Sequence, residues 1–178
     1  MITFLQGNLF DTNAQVITNT INCVGVMGKG VALEFKRRYP EMFNDYKKRC
    51  STESIQPGEL YLWEDESVQI LNFSTKKHWK GSSKLEYIET GLRYLAANYA
   101  ELGIHSIAMP PLGCGNGGLD WNIVKQMMID LLGQITDLEV YVYQPKLGQG
   151  KVSSSGKNGV ERGFNFESEN LSAEVNFE

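Results

Sequence analysis

Six short β-prone runs punctuate the first 145 residues, and most of them are separated by stretches of helical periodicity. That alternation constrains the fold more than any other feature of the chain. Consecutive strands joined by helical crossovers lie parallel, and a parallel sheet needs helices over both of its faces. The strands are expected at residues 2–5, 16–21, 59–63, 68–73, 105–109 and 138–143, with the acidic turn Glu64-Asp65-Glu66 joining the third to the fourth. Three principal helices are expected. The first starts at Gly28 and carries Val31, Leu33 and Phe35 towards Tyr39, with Pro40 marking a break or a fresh helical start. The second carries Leu85, Ile88, Leu92, Leu95 and Ala96 and ends at Gly103 as a left-handed cap. Asp120 caps the third, which carries Ile123, Met127, Leu131 and Leu132. The expected class is α/β, a mostly parallel six-stranded mixed sheet.

From Lys146 the character changes. Five glycines (Gly148, Gly150, Gly156, Gly159, Gly163) and the run Ser153-Ser154-Ser155 appear without periodicity, so residues 1–145 read as one domain and 146–178 as a flexible glycine- and serine-rich tail. A chain of 178 residues and 20.0 kDa suits that division. No apolar run approaches the ~20 residues of a membrane span, so no membrane partner is expected. Three cysteines (Cys23, Cys50, Cys114) match no zinc or redox spacing, which points to a reducing, cytoplasmic compartment. The two histidines, His78 and His105, stand in no cluster with acids, so neither metal nor cofactor is expected.

The net charge of -4 argues against a generic polyanion binder, but the charge is uneven. Residues 28–49 hold seven bases against three acids and read as a solvated helix face. Residues 76–84 hold four lysines and no acid around Gly81, Ser82 and Ser83, a loop composition suited to an anionic ligand.

Two glycine-rich stretches each follow a strand and lead into a helix, where α/β sheets bind ligands. The first is Asn22-Cys23-Val24-Gly25-Val26-Met27-Gly28-Lys29-Gly30 and the second Pro111-Leu112-Gly113-Cys114-Gly115-Asn116-Gly117-Gly118. Glycines let the backbone approach a ligand and turn successive N–H groups towards an anion, and a helix N-terminus adds partial positive charge. Neither stretch is a Walker A loop or a dinucleotide fingerprint. Facing each other across a cleft, the two would hold a diphosphate.

The order Gly7-Asn8-Leu9, Asn19-Thr20-Ile21-Asn22, Gly25-Val26-Met27-Gly28-Lys29-Gly30-Val31-Ala32 resembles a macrodomain. Asn72-Phe73-Ser74-Thr75-Lys76-Lys77-His78-Trp79 and Pro110-Pro111-Leu112-Gly113-Cys114-Gly115 extend the resemblance, which covers residues 1–145. The similarity is greatest to the branch that holds DNA ADP-ribosyl glycohydrolase antitoxins and terminal ADP-ribose glycohydrolases. It implies a three-layer α/β/α fold that binds ADP-ribose. On the family pattern Asn8 and Leu9 lie at the adenine, and Tyr143 is a candidate to stack on it. Thr20, Ile21, Asn22, Met27, Gly28, Lys29, Gly30, Val31 and Ala32 with Thr75 and Leu112, Gly113, Cys114, Gly115, Asn116, Gly117 and Gly118 surround the diphosphate and distal ribose.

Lys76 matches the lysine to which this branch assigns catalysis, and Asn22 the asparagine beside the distal ribose. Burial after an apolar strand, with Lys77 and Lys80 nearby, would lower the pKa of Lys76. Two roles stay open for it: nucleophile at the anomeric carbon, or cation that stabilises the leaving group or positions water. Terminal ADP-ribose glycohydrolases in the branch pair this lysine with an aspartate at the position of Gly117, whereas the antitoxin type is carboxylate-poor there, as this chain is. Cys114 has no histidine beside it and reads as a small packing residue. Trp79, with Lys77 and Lys80, suits contact with DNA. The implied function is removal of mono-ADP-ribose from a macromolecule, above all from thymidine in ADP-ribosylated DNA, with a cognate ADP-ribosyltransferase toxin as partner. An ADP-ribose-1''-phosphate phosphatase and a non-catalytic ADP-ribose reader are the alternatives.

Overall fold

The computed structural model describes residues 1–145, so the tail expected at 146–178 lies outside the described residues. The elements are β1 (Ile2–Leu5), β2 (Val16–Asn22), α1 (Gly30–Arg38), α2 (Pro40–Ser51), β3 (Leu60–Glu64), β4 (Gln69–Lys76), α3 (Leu85–Asn98), β5 (Ser106–Met109), α4 (Trp121–Leu132) and β6 (Glu139–Tyr143). The strands form one sheet in the order β1-β6-β5-β2-β4-β3. Every neighbouring pair is parallel except β3 with β4, which gives the mostly parallel mixed sheet expected.

Alternation along the central strands builds two cores. Val16, Leu71 and Ile107 face one side, where they pack with Ile88, Leu92, Val124 and Met128 of α3 and α4. Ile17, Ile70 and Ala108, each one residue away, face Phe35, Met42 and Tyr46 of α1 and α2. These strands are buried on both faces, so they read as continuous apolar runs. Gly91 brings α3 close to the sheet: a Cβ there would stand 2.3 Å from Phe73 Cζ.

The structure corrects the expected helices in four places. Among the described residues there are four α-helices, because Pro40 opens α2 at a position where its missing N–H costs nothing. The first helix begins at Gly30 rather than Gly28. The second ends at Asn98, and Gly103 adopts its left-handed φ of +68° in a separate turn that donates to Ala100 O. On α4 the core face is Val124, Met128 and Leu132, spaced by four, while Ile123 lies outside it, 51% exposed.

The fourth strand also runs three residues past Phe73, to Lys76. Its pairing with β2 shifts register at the end: Ile21 pairs with Ser74 but Asn22 with Lys76, leaving Thr75 as an extra residue. Such a β-bulge re-aims the side chain that follows it. Lys76 is therefore the last residue of a central strand, not part of a loop.

Candidate active site

A cleft of about 830 Å³ opens at the carboxyl ends of β2, β4 and β5. Its walls are Thr20, Ile21 and Asn22 from β2, Thr75 and Lys76 from β4, and Pro110 and Pro111 after β5. Val26, Gly28, Lys29, Gly30, Val31 and Ala32 close it from the first glycine loop and α1. Gly113, Gly115, Asn116 and Gly117 face them from the second. The two loops do oppose each other, and they nearly touch: a Cβ on Gly30 would lie 3.0 Å from Asn116 Nδ2. With a φ of +59°, Gly30 also holds a conformation that side chains disfavour. No side chain caps α1, so its first N–H groups stay open at the cleft wall.

Asn22 shapes the first loop. Its Oδ1 accepts from Val24 N at 3.0 Å and Val26 N at 3.4 Å, and its Nδ2 donates to Val26 O at 2.6 Å. Tyr46 of α2, fully buried, donates towards both Asn22 O (2.8 Å) and Asn22 Oδ1 (3.0 Å). Burial holds the Tyr46 phenol far above its usual range, so it remains a donor. The carboxamide of Asn22 is thus committed to holding the loop, with one face of the residue on the cleft.

Lys76 Nζ donates to Asn116 O at 2.5 Å, which fixes the amine against the second loop. Its pKa lies below the ordinary lysine range, and the cause is burial; Lys77 and Lys80, expected to contribute, do not. The second loop is interlocked with the segment before α3. Ser83 N donates to Gly117 O at 3.0 Å, and a Cβ on Gly117 would lie 2.1 Å from Gly113 O and 2.3 Å from Ser83 Oγ. Position 117 has no room for any side chain, so a carboxylate there is excluded in this chain. Ser83 Oγ itself is buried without a hydrogen-bond partner.

Several residues expected at the site stand away from the cleft. Met27 is buried, its Sδ 3.9 Å from Asn19 Nδ2, and Leu112 is wholly in the core. Cys114 donates to Leu112 O at 3.3 Å, and burial pushes its thiol up to about 12, so it is a packing residue as expected. Gly118 lies outside the lining, in the turn that returns to Gly115 O. Asn8 caps the 3-10 turn Leu9–Asp11, its Oδ1 accepting from Phe10 N at 3.2 Å, while Leu9 is buried. Tyr143 packs beside Gly7 and in the same core as Leu9, so Asn8, Leu9 and Tyr143 form a separate group near the β1–β6 end of the sheet.

Trp79 and Lys80 line the mouth, with the indole 46% exposed. The His78 ring stacks on Trp79 at 5.7 Å, and Lys80 Nζ stands 5.1 Å from the indole ring. Lys77 is exposed beyond the lining, and its carbonyl accepts from Cys23 N. Val26, Ser83, Pro110 and Pro111 also line the cleft, within or beside the loops expected there though not among the individual ligand contacts. The two prolines follow a strand directly, a signal the sequence does carry. Val26 and Ser83 stand in loops that the sequence marks, but which residues of a loop face the cleft depends on its conformation.

Comparison with known proteins places this arrangement. The Macro domain family model matches residues 18–128. A DNA ADP-ribosyl glycohydrolase of Mycobacterium tuberculosis is 47% identical over 152 residues, covering 83% of this chain and 43% of that protein. The structure of the macrodomain of Thermus aquaticus DarG is 44% identical with a TM-score of 0.77, covering 82% of this chain and 99% of that one. The structure of Thermosipho africanus DarTG in complex with ADP-ribose is 36% identical with a TM-score of 0.78, covering 82% of this chain and 42% of that one. The chain spans less than half the length of these curated relatives.

Proposed function

The chain belongs to the macrodomain family, and on that premise we propose that it is an ADP-ribosyl glycohydrolase that removes mono-ADP-ribose from thymidine bases in DNA. The observation that carries the proposal is the amine of Lys76, lodged between the two glycine loops and held on Asn116 O. A reader would use the same lysine only as a cation against the diphosphate, so turnover rather than binding separates the two readings.

ADP-ribose lies with its diphosphate between the loops, where the open N–H groups of α1 and the glycine backbones meet the anion. The distal ribose then reaches Lys76. Burial favours the free amine, which attacks C1'' as the C1''–N3 bond to thymine breaks. The proton lost by the lysyl nitrogen ends on thymine N3. Water then adds at C1'', the lysyl–C1'' bond breaks, and the amine is restored as ADP-ribose leaves. Neither step calls on a carboxylate at position 117. Trp79 and Lys80 at the mouth meet the nucleotide that carries the modification, by stacking and by charge. The substrate must be made by an ADP-ribosyltransferase that modifies DNA, and that enzyme is the partner this reading calls for. Three free thiols suit action in a reducing cytoplasm.

The test is release of ADP-ribose from a single-stranded oligonucleotide modified at thymidine, by the wild type and by Lys76→Ala. Release by the wild type and none by the variant is the expected result. Binding of both without cleavage would replace the glycohydrolase with a reader, and ADP-ribose-1''-phosphate would be the next substrate to try.

A further inference from the structure

Charge on this molecule is uneven between layers. The α1–α2 hairpin with its leading loop, residues 28–51, carries seven bases against three acids, in a chain whose net charge is -4. On the opposite layer, counted with the N-caps of α3 and α4, the signs nearly balance: Glu86, Glu89, Asp120 and Asp130 against Lys84, Arg93 and Lys125. The hairpin's acids are partly used. Glu34 pairs with Arg37 and Arg38, and Asp45 pairs with Arg49. Among the described residues no carboxylate lies within 4.0 Å of Lys36 or Lys47.

Those two lysines share one aromatic ring. Lys36 Nζ stands 4.4 Å from the centroid of Phe43 and Lys47 Nζ 5.8 Å from it. Lys47 also abuts the first glycine loop, its Cγ 3.7 Å from where Gly25 would carry a Cβ. Beside Gly25 on that loop are Val24 and Val26, apolar yet 44% and 36% exposed, and Val26 is part of the cleft wall. A path therefore leads out of the cleft over two exposed valines to Lys47, Phe43 and Lys36. Apolar surface for sugars and bases, followed by ammonium groups interleaved with an aromatic ring, is the composition that single strands bind.

We infer that the outer face of the α1–α2 hairpin, through Lys47 and Lys36 about Phe43, carries the phosphate backbone of the DNA strand where it leaves the cleft over Val24 and Val26. This rests on the DNA-directed reading above and adds a surface to it. It makes the enzyme a reader of strand as well as of modified base. Contacts of this kind position without specifying sequence, so the hairpin would add affinity and salt dependence but no sequence preference.

The experiment compares the full chain with its Lys36→Glu/Lys47→Glu variant on two substrates, an ADP-ribosylated thymidine mononucleotide and the same nucleotide within a single strand extended on both sides. Each is followed as kcat/KM against salt, with the thermal midpoint of both proteins measured alongside. For the extended strand the variant should lose roughly tenfold at low salt, and its log–log salt slope should flatten by about 1.4, two phosphate contacts at ~0.7 each on single strands. For the mononucleotide it should match the wild type. An unchanged slope on the extended strand would overturn the inference, as would equal losses on both substrates, which would mark damage to the first loop. Failure of the DNA-directed reading looks different: the wild type itself would then release nothing from either substrate.

Discussion

Replacing Tyr46 with phenylalanine removes one oxygen and nothing else, and it tests whether the first glycine loop is held from behind. The ring is fully buried, so its packing survives the change. The hydroxyl donates to Asn22 O at 2.8 Å, and among the described residues the only other side-chain hydrogen bond to that oxygen is the long one from Cys50 Sγ at 3.9 Å. Asn22 Oδ1 keeps the N–H groups of Val24 and Val26, the latter at a long 3.4 Å. Loss of a buried hydrogen bond costs about 1 kcal/mol, and the unpaired carbonyl raises that to roughly 2 kcal/mol. At about 2–4 °C per kcal/mol for a domain of this size, Tm should fall by roughly 6 °C. The part of that energy that fixes the loop is lost from ligand binding too, because α1 and its open N–H groups follow directly from the loop. We expect the Kd for ADP-ribose, measured by calorimetry, to rise by about fivefold, equivalent to roughly 1 kcal/mol. A variant with the lower Tm but the wild-type Kd would refute the reasoning, since the loop would then be shaped by Asn22 alone.

Other outcomes follow from the same geometry. If the free amine of Lys76 attacks, kcat/KM should climb with pH from neutrality and level off below the ~10.4 of an ordinary lysine. Ring opening of the lysyl–C1'' adduct breaks its C1''–O4'' bond and gives an imine, so borohydride added during turnover should leave a reduced ADP-ribosyl mass on Lys76; a rate that falls with pH, with no trapped adduct, would make the ammonium the active form. Gly117→Ala forces a Cβ against Gly113 O and Ser83 Oγ, one of them backbone, and should cost about 2–3 kcal/mol and most of the activity; a variant as stable as the parent would show that the loop can yield. Ser83→Ala deletes a buried hydroxyl that has no partner, so thermal unfolding should show Tm unchanged or slightly raised, against the loss expected for a bonded serine. Burial raises the Tyr46 and Tyr61 phenols and the Cys114 thiol, the last to about 12. Raised acids favour the neutral folded form, so the stabilisation is intact below the unfolded values of ~8.5 for thiols and ~10 for phenols. Urea titrations should find stability level from pH 6 to 8 and declining above about 9.

Much of the fold could be read because its strands are buried on both faces and therefore stand out as apolar runs. The boundaries of β1 matched residue for residue, and Asp120 caps α4 by accepting from Asn122 N at 2.7 Å. The end of β4 could not be read, since Ser74-Thr75-Lys76 is polar and becomes strand only by pairing with β2 and with the segment before β3. The glycine loops were visible as composition, and their opposition followed from the sheet. Their content was less legible: Met27 and Leu112 alternate inward with the core while their neighbours face the cleft, and no periodicity in a loop announces that. Asn22 was seen as a ligand-side residue, but its ties to Tyr46 cross 24 positions of sequence and exist only in the fold.

On the proposed mechanism, the extra residue at Thr75 bears on the timing of the reaction as well as on its place. A nucleophile carried at the tip of a loop waits on that loop's motion. Lys76 is seated in a strand flanked on both sides by other strands, so it moves with the sheet and has no hinge of its own. Catalysis here should be a matter of arrival rather than of closure, and turnover at saturating substrate should stay constant as solvent viscosity rises.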